Sequence, residues 1–262
     1  LCEKGYACVI HDHRGHGASV RHPDDLGYFY TNGAEHVILD LHQVSLWAKK
    51  RYPSLPLYLF GHSMGSLIVR NYIKRFDDEI DGLIVCGSPS KNILAKPARA
   101  WIRLMAKRKG EKWRSPLIQK LIFGSYQKGL SSEKSENAWI CSDPAVVSAY
   151  DESELCGFIF TLNGFDTLLT LLYETYHAEG WQMKNPGLPV LFLEGWEDPC
   201  RGNDKKFLSA VRFLQNTGYR NISFQVYGGA RHELLNERQK ELVFLETQAW
   251  LEYQHFCSSQ EK

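Results

Sequence analysis

The stretch formed by residues 56–73, PLYLFGHSMGSLIVRNYI, decides how this chain is expected to fold. It begins with a short apolar run, residues 57–60, which is typical of a buried parallel strand. From Met64 onward apolar side chains recur at helical spacing, at Leu67, Ile68, Tyr72 and Ile73. The chain is therefore predicted to pass from strand to helix within about four residues, with Ser63 at the corner.

Ser63 is predicted to be a nucleophile in a sharp turn of the G-x-S-x-G type. In such a turn the serine backbone is strained, and the side chain projects above the carboxyl edge of the sheet. Gly61 and Gly65 are expected because side chains at these positions would collide with the neighbouring strand and helix. The following helix directs its amino end at the site, which makes the backbone N–H of Met64 the predicted oxyanion donor.

A serine hydroxyl is a weak nucleophile unless a base accepts its proton. Folds with this turn supply the partners in chain order, first an acid and then a histidine. The acid is predicted at Asp198, which follows the buried run in PVLFLEGWEDPC and lies in the tight turn that an Asp-Pro pair favours. Glu194 and Glu197 are the competing carboxylates, because Glu194 closes the strand and Glu197 is adjacent to Asp198.

The base is predicted at His232, after the strand and Gly-Gly loop of ISFQVYGGARHELLNE. Asp198 would orient its imidazole, and His232 would carry the proton. Three further histidines, His11, His13 and His16, cluster in HDHRGHG. Because this loop is Gly-rich and lacks an acidic ligand set, they are interpreted as structural residues rather than as metal ligands.

The composition argues against several other classes of protein. The chain has 262 residues, 44% of them hydrophobic and 23% charged, with a net charge of +1, so nucleic acid is not expected as a partner. No apolar run reaches the roughly 18 residues that a membrane span needs. The seven cysteines are scattered and odd in number, which favours reduced thiols and a cytoplasmic protein without a metal or other cofactor. Cys200 is interpreted as a packed side chain, with a reactive thiol as the alternative.

Five apolar runs predict strands, at residues 6–10, 57–60, 83–86, 190–193 and 222–226. Helical patterns cover residues 32–52, 207–214 and 242–253, and in the first of these Val37, Leu41, Val44 and either Trp47 or Ala48 share a face. This alternation predicts an α/β fold with a mostly parallel sheet. Residues 89–187 interrupt it with helical, aromatic sequence, and are predicted to form a cap inserted into a core of residues 1–88 and 188–262.

Two segments of the predicted cap leave alternatives open. Residues 96–114, KPARAWIRLMAKRKGEKWR, carry eight Lys or Arg against one Glu, with Ala98, Trp101, Ile102 and Met105 on one helical face. This helix either has a solvated basic face or forms a lid that makes transient contact with an anionic membrane or micelle. Residues 158–176, FIFTLNGFDTLLTLLYETY, line an acyl pocket, pack the cap against the sheet, or do both.

Four motifs carry a family resemblance: DHRGHGAS at 12–19, GHSMGS at 61–66, GWEDP at 195–199 and GARHELLNE at 229–237. Together they resemble the monoacylglycerol lipase and lysophospholipase group of α/β-hydrolases, in order over residues 6–251. The resemblance implies hydrolysis of a carboxylic ester through an acyl-enzyme, without a cofactor. It also implies a catalytic triad of Ser63, Asp198 and His232.

The chain departs from that family in two places. Ser66 stands where a second glycine is common after the turn, which is a small change. The family also has further strands before the one that matches residues 6–10. The loop after one of them carries a His-Gly motif that supplies a second oxyanion N–H, and nothing in this chain matches that motif. In the family's sheet that strand lies between the strands at 6–10 and 57–60. We therefore expect a chain extended upstream to be more stable and more active.

The expected function is hydrolysis of a monoacyl lipid, with glycerol or a glycerophospho group leaving. Short-chain carboxylesterase and acyltransferase activities are alternatives on the same triad. Peptidase activity of the proline-iminopeptidase type is a less favoured alternative. A non-catalytic α/β-hydrolase module that binds a ligand or partner is the alternative from another class.

Overall fold

The described residues form a sheet of four parallel strands, in the order in which they occur along the chain. The computed structural model describes residues 1–130 and 133–260. The strands are β1, Tyr58–His62; β2, Gly82–Cys86; β3, Val190–Gly195; and β4, Ile222–Tyr227. All three neighbouring pairs are parallel, so the carboxyl ends of the strands meet at one edge of the sheet. Four of the five predicted strands are therefore confirmed.

Eight α-helices accompany the strands in the described residues. Those of the core are α1, Gly33–Arg51; α2, Met64–Phe76; α7, Asp204–Thr217; and α8, Lys240–Gln260. Between β2 and β3 lie α3, Ala95–Lys109; α4, Pro116–Phe123; α5, Pro144–Glu152; and α6, Leu162–Thr175. The α/β class predicted from the sequence is confirmed.

Both faces of the sheet are covered, as a buried parallel sheet requires. On one face Leu83 and Val85 of β2 pack in a cluster with α1, α2 and α7. On the other face Ile84 and Cys86 pack with α8. The apolar face of α1 includes buried Ala48, whereas Trp47 is exposed. The sequence had left this choice open, and the packing decides it.

Residues between β2 and β3 form a second, largely helical layer. Ile102, Ile118 and Phe165 are fully buried in its own apolar cluster. Trp101 was predicted to share the face of Ile102, but it is 41% exposed because it lies on the outer side of α3. Helix α6 joins this layer to the core, since Asn71 Nδ2 of α2 donates to Leu171 O at 3.1 Å. We propose that residues 89–187 act as the cap of the fold.

The strand predicted at residues 6–10 is wrong. This segment forms no ladder with β1, and Ile10 is 93% exposed. A single extended segment is not stabilised as a strand unless its N–H and C=O groups pair with a neighbour. Here a groove of about 1070 Å³ separates the segment from β1, with α1 and α8 contributing to its walls. β1 is accordingly an edge strand of the described sheet.

No helix in the described part of the chain is both long enough and apolar enough to cross a bilayer.

Candidate active site

The turn between β1 and α2 holds Ser63 in a strained backbone conformation. Its φ is 56° and its ψ is −118°, a region that residues other than glycine seldom adopt. The Ser63 N–H donates to Cys86 O of β2 at 3.0 Å, and the Ser63 carbonyl accepts from the Ser66 N–H at 3.0 Å. These bonds hold the turn at the carboxyl edge of the sheet, where Ser63 was predicted to lie. Met64 is the first residue of α2, so its N–H has no acceptor within the helix.

The two glycines of this turn have different surroundings. A Cβ on Gly61 would come within 2.4 Å of the Gly65 carbonyl oxygen and 2.7 Å of Val69 Cγ2, so only glycine fits there. A Cβ on Gly65 would meet nothing within 4 Å. The predicted crowding at Gly65 is therefore wrong, because this residue faces the groove beside β1.

Asp198 and His232 form a buried pair beyond the ends of β3 and β4. Asp198 Oδ2 accepts a hydrogen bond from His232 Nδ1 at 2.7 Å, and the two residues are only 2% and 3% exposed. Asp198 Oδ1 accepts from the Cys200 N–H at 2.8 Å. Of the competing carboxylates, Glu197 is exposed, and Glu194 accepts from the Ser88 N–H at 3.1 Å. Asp198 is thus the carboxylate that meets the imidazole.

Burial alone would raise the pKa of Asp198, but its partners reverse that effect. The nearby His232 and the hydrogen bonds from the His232 ring and the Cys200 N–H hold the pKa of Asp198 below its usual value. Asp198 is therefore ionised at neutral pH, which is the state that orients a histidine and stabilises its protonated form.

The His232 backbone and ring are also held from two other sides. The His62 ring donates from Nε2 to the His232 carbonyl oxygen at 2.9 Å, and the two ring centroids are 4.5 Å apart. Burial and the neighbouring His232 lower the pKa of His62 to about 4, so His62 is neutral when it donates. The Trp139 ring packs against His232 from the layer between β2 and β3, with centroids 5.0 Å apart.

The hydrogen bonds of the described residues include none from Ser63 Oγ to the His232 ring. Ser63 nevertheless follows β1, and His232 follows β4. Because the strands are parallel, both residues lie beyond the same edge of the sheet. Bonds between a nucleophile and its base are often long before substrate binds, so this geometry is compatible with a catalytic pair.

A buried carboxylate that the sequence reasoning missed connects the His232 loop to the helical layer. Glu237 is fully buried, and its Oε1 accepts from the backbone N–H groups of Ser142 and Arg231, each at 2.8 Å. Arg231 in turn donates from Nη1 to Ala138 O at 2.7 Å. In the sequence Glu237 ends the run HELLNE and resembles an ordinary exposed charge, so its role could not be predicted without the tertiary contacts.

One group of side chains in the described residues could bring three metal-ligand atoms together. Atoms of Asp198, Cys200 and His232 lie within 4.8 Å of one another. However, burial and the nearby Asp198 raise the pKa of the Cys200 thiol well above its usual value, which leaves it protonated and a poor ligand.

In the histidine cluster of the first loop, the rings of His11 and His13 pack edge to face. Burial, together with the neighbouring His11 and His16, lowers the pKa of His13 to about 4.

A parallel sheet with a strained serine turn and a buried acid–histidine pair at one edge defines an α/β-hydrolase. A family model described as "Serine aminopeptidase, S33" (Hydrolase_4) matches residues 1–239. The chain belongs to this family.

Three known proteins show how far the similarity extends. Monoglyceride lipase of Saccharomyces cerevisiae is 26% identical over 96% of this chain and 77% of its own length. Monoacylglycerol lipase of Mycolicibacterium smegmatis is 24% identical over 92% of this chain and 76% of its own. The crystal structure of a thermostable carboxyl esterase from Bacillus coagulans superposes with a TM-score of 0.79 at 23% identity, over 95% of this chain and 79% of that one. The expected fold family is thereby confirmed.

Proposed function

We propose that this protein is a serine hydrolase that cleaves carboxylic esters of monoacyl lipids. The observation that carries the proposal is the 2.7 Å contact between Asp198 and His232 at the sheet edge that also bears the strained Ser63 turn. Hydrolases related in sequence along most of the chain, named monoglyceride and monoacylglycerol lipase, support the choice of substrate class.

The reaction follows from the roles of these groups. Ser63 Oγ attacks the ester carbonyl carbon while its proton passes to His232, and Asp198 stabilises the imidazolium that forms. The Met64 N–H donates to the oxyanion. His232 then protonates the leaving alcohol, a glycerol or glycerophospho group, and an acyl-enzyme remains on Ser63. Attack by water, with His232 again as the base, releases the fatty acid.

Residues 158–176 were interpreted as the lining of an acyl pocket, as packing of the cap, or as both. Leu162 and Phe165 of α6 are fully buried in the apolar cluster of the layer itself, whereas Leu171 packs into the core cluster that covers the sheet. Phe158 and Phe160, just before α6, are only half-buried, and their rings lie beside His16. We propose that an acyl chain contacts these two aromatic side chains, because they remain partly exposed, rather than the buried residues of α6.

A panel of substrates tests the proposed specificity. Monoacylglycerols and lysophospholipids of increasing chain length are compared with short p-nitrophenyl esters and with amino-acid p-nitroanilides. The proposal requires the highest kcat/KM on a long monoacyl ester. Preference for acetate or butyrate esters would indicate a carboxylesterase, and turnover of the anilides alone would indicate a peptidase. Transfer of the acyl group to added glycerol measures the acyltransferase alternative.

Contact with a lipid surface is a further part of the proposal. On α4, Leu117 and Leu121 are 63% and 65% exposed, one helical turn apart, next to the basic helix α3. Exposed apolar side chains beside a basic helix suit an anionic interface. Co-sedimentation should show stronger binding to anionic than to neutral vesicles, and Leu117→Glu with Leu121→Glu should weaken it. Equal binding to both vesicle types would exclude this contact.

Because all seven cysteines are free thiols, we also propose that the protein works in the cytoplasm.

A further inference from the structure

Glu194 is a buried carboxyl group beside the proposed active site, and it has no role in the proposed reaction. It lies near the end of β3 and has no solvent exposure. A carboxylate in such a place is costly unless a cation or several hydrogen-bond donors compensate its charge. The contacts of Glu194 therefore indicate what state it is in.

Those contacts are enough for a neutral carboxyl group but leave a charged one poorly stabilised. Oε2 accepts one hydrogen bond, from the Ser88 N–H at 3.1 Å, while Oε1 meets no N–H or hydroxyl donor among the described residues. The other neighbour is the carboxyl group of Asp198, whose proximity helps to raise the pKa of Glu194. Two ionised carboxylates buried side by side repel each other, and neither can donate a hydrogen bond, which favours a proton on one of the pair.

The surroundings place that proton on Glu194. Asp198 faces the His232 ring and the Cys200 N–H, which favour its ionised form. Burial first, and then the nearby Asp198, raise the pKa of Glu194 well above its usual value. The other titratable groups that face it are Cys86 of β2 and the neighbouring Cys200, both of which have raised pKa values, and Arg201.

Arg201 does not neutralise Glu194. Its Nη2 is paired with Asp204, and its Nε and Nη1 make no hydrogen bond within the described residues. The guanidinium therefore lies near enough to influence the carboxyl group without bonding to it.

We propose that Glu194 is a protonated positioning residue whose carboxyl O–H donates to Asp198 and fixes that carboxylate against His232. Its protonation is independent of any reaction. Its effect on catalysis rests on the proposed function, in which the Asp198–His232 pair serves Ser63. The two parts are therefore tested separately.

The first test measures protonation through stability. Glu194→Gln keeps a donor for Asp198 and an acceptor for Ser88 but cannot ionise, so it should remain folded, which a thermal melt verifies. At pH values above 4.5, the ordinary pKa of this group, Glu194 of the wild type would lose its proton when the protein unfolds. The folded state would then bind one more proton than the unfolded state. The unfolding equilibrium constant of the wild type should therefore rise relative to the variant by about tenfold per pH unit above that value. A difference that does not change with pH would overturn the proposal.

A spectroscopic signature checks the same point directly. The infrared difference spectrum between wild type and Glu194→Gln at pH 7 should contain the carbonyl stretch of a protonated carboxylic acid. If the difference contains only carboxylate bands, Glu194 is ionised and the proposal fails. Neither measurement requires the enzyme to turn over a substrate.

The second test concerns positioning. Glu194→Met removes the donor at similar volume and should lower kcat/KM by roughly 10–100-fold, the usual worth of a hydrogen bond to a charged group. It should also move the acid limb of the pH profile upward, because Asp198 without its donor retains protons at higher pH. Glu194→Gln should restore most of the rate and the wild-type acid limb. An unshifted limb in Glu194→Met, or a shifted one in Glu194→Gln, would refute the positioning role. If wild type hydrolyses no ester at all, the proposed function fails while the stability result still decides the state of Glu194.

Discussion

Three carboxyl groups close together in sequence, those of Glu194, Glu197 and Asp198, have three different environments. Glu197 is exposed to solvent, Glu194 is enclosed next to Ser88, and Asp198 meets the imidazole of His232. The same functional group is therefore a solvated charge, a buried acid or an orienting carboxylate, depending on its contacts. This separation makes a matched substitution experiment possible.

Asp198→Asn should lower kcat by about 10³–10⁴-fold, because an amide at this position favours the wrong tautomer of the histidine. Glu197→Gln removes a carboxylate next to it in sequence but not in contact with the ring. That control should leave kcat within about twofold of wild type, as expected for an exposed side chain. Steady-state ester hydrolysis measures both variants. If Glu197→Gln were the damaging change, the assignment of the acid would be wrong.

These residues could be proposed as a site from the sequence because the order of the motifs constrained them. Ser63 lies where an apolar run gives way to a helical pattern, and Asp198 and His232 follow later apolar runs. The same sequence gave no signal for Glu194 as a neutral acid or for Glu237 as a buried connector. Burial, and the donors that surround a carboxyl group, arise from segments distant along the chain.

The turn between β1 and α2 shows how closely a strand and a helix approach each other. A methyl group at position 61 would overlap the Gly65 carbonyl oxygen, whereas one at position 65 would point into the groove. Gly61→Ala is therefore expected to lower the free energy of unfolding by about 2 kcal/mol or more, through overpacking. Gly65→Ala should change it by less than about 1 kcal/mol, since alanine is the better helix former.

Urea unfolding of the two alanine variants, with wild type alongside, measures this difference. Equal destabilisation at both positions would mean that Gly65 is crowded in solution, as the sequence pattern had suggested. Destabilisation at position 65 alone would contradict the arrangement of this turn altogether.

The strands were predictable to the extent that each has a neighbour. The apolar runs at 83–86 and 190–193 lie in the interior of the sheet, and the structure places strands there with nearly the same bounds. The run at 6–10 is also apolar, yet it forms no strand, because across the groove from β1 it pairs with no strand of the described residues. Apolar periodicity reports what a segment prefers to bury, and a strand also requires hydrogen bonds to another strand.

The stability of the whole molecule should depend on pH through His62, which stays neutral in the folded protein. Its pKa is lowered to about 4 in the folded protein, against an ordinary value of 6.5. Between these values the unfolded chain binds a proton that the folded protein does not bind, so the free energy of unfolding falls as pH decreases from about 6.5 to about 4. The full pKa shift corresponds to about 3 kcal/mol of unfolding free energy. The expected loss is smaller than this, because His62 is only half-buried.

His62→Gln can still donate to the His232 carbonyl but cannot titrate, so its free energy of unfolding should fall less between pH 7 and pH 4.5. His255, which is exposed on α8, provides the matched control, and His255→Gln should follow the wild-type curve. Denaturant melts at several pH values give the comparison. Parallel curves for His62→Gln and wild type would show that His62 does not titrate differently in the folded protein.

The site as a whole combines segments that are far apart in the sequence and meet only when the parallel sheet forms. Ser63 follows β1, Asp198 follows β3 and His232 follows β4. An activated Ser63 therefore reports that the entire arrangement is assembled. A fluorophosphonate reacts with such a serine without requiring the natural substrate.

The most direct measurement is intact-mass analysis after treatment with a fluorophosphonate, comparing wild type with Ser63→Ala. If Ser63 is activated by His232, the wild-type chain should carry a single adduct and the variant none. An adduct that persists in Ser63→Ala would place the nucleophile elsewhere. No adduct on folded wild-type protein would show that the serine, acid and histidine do not act together as proposed.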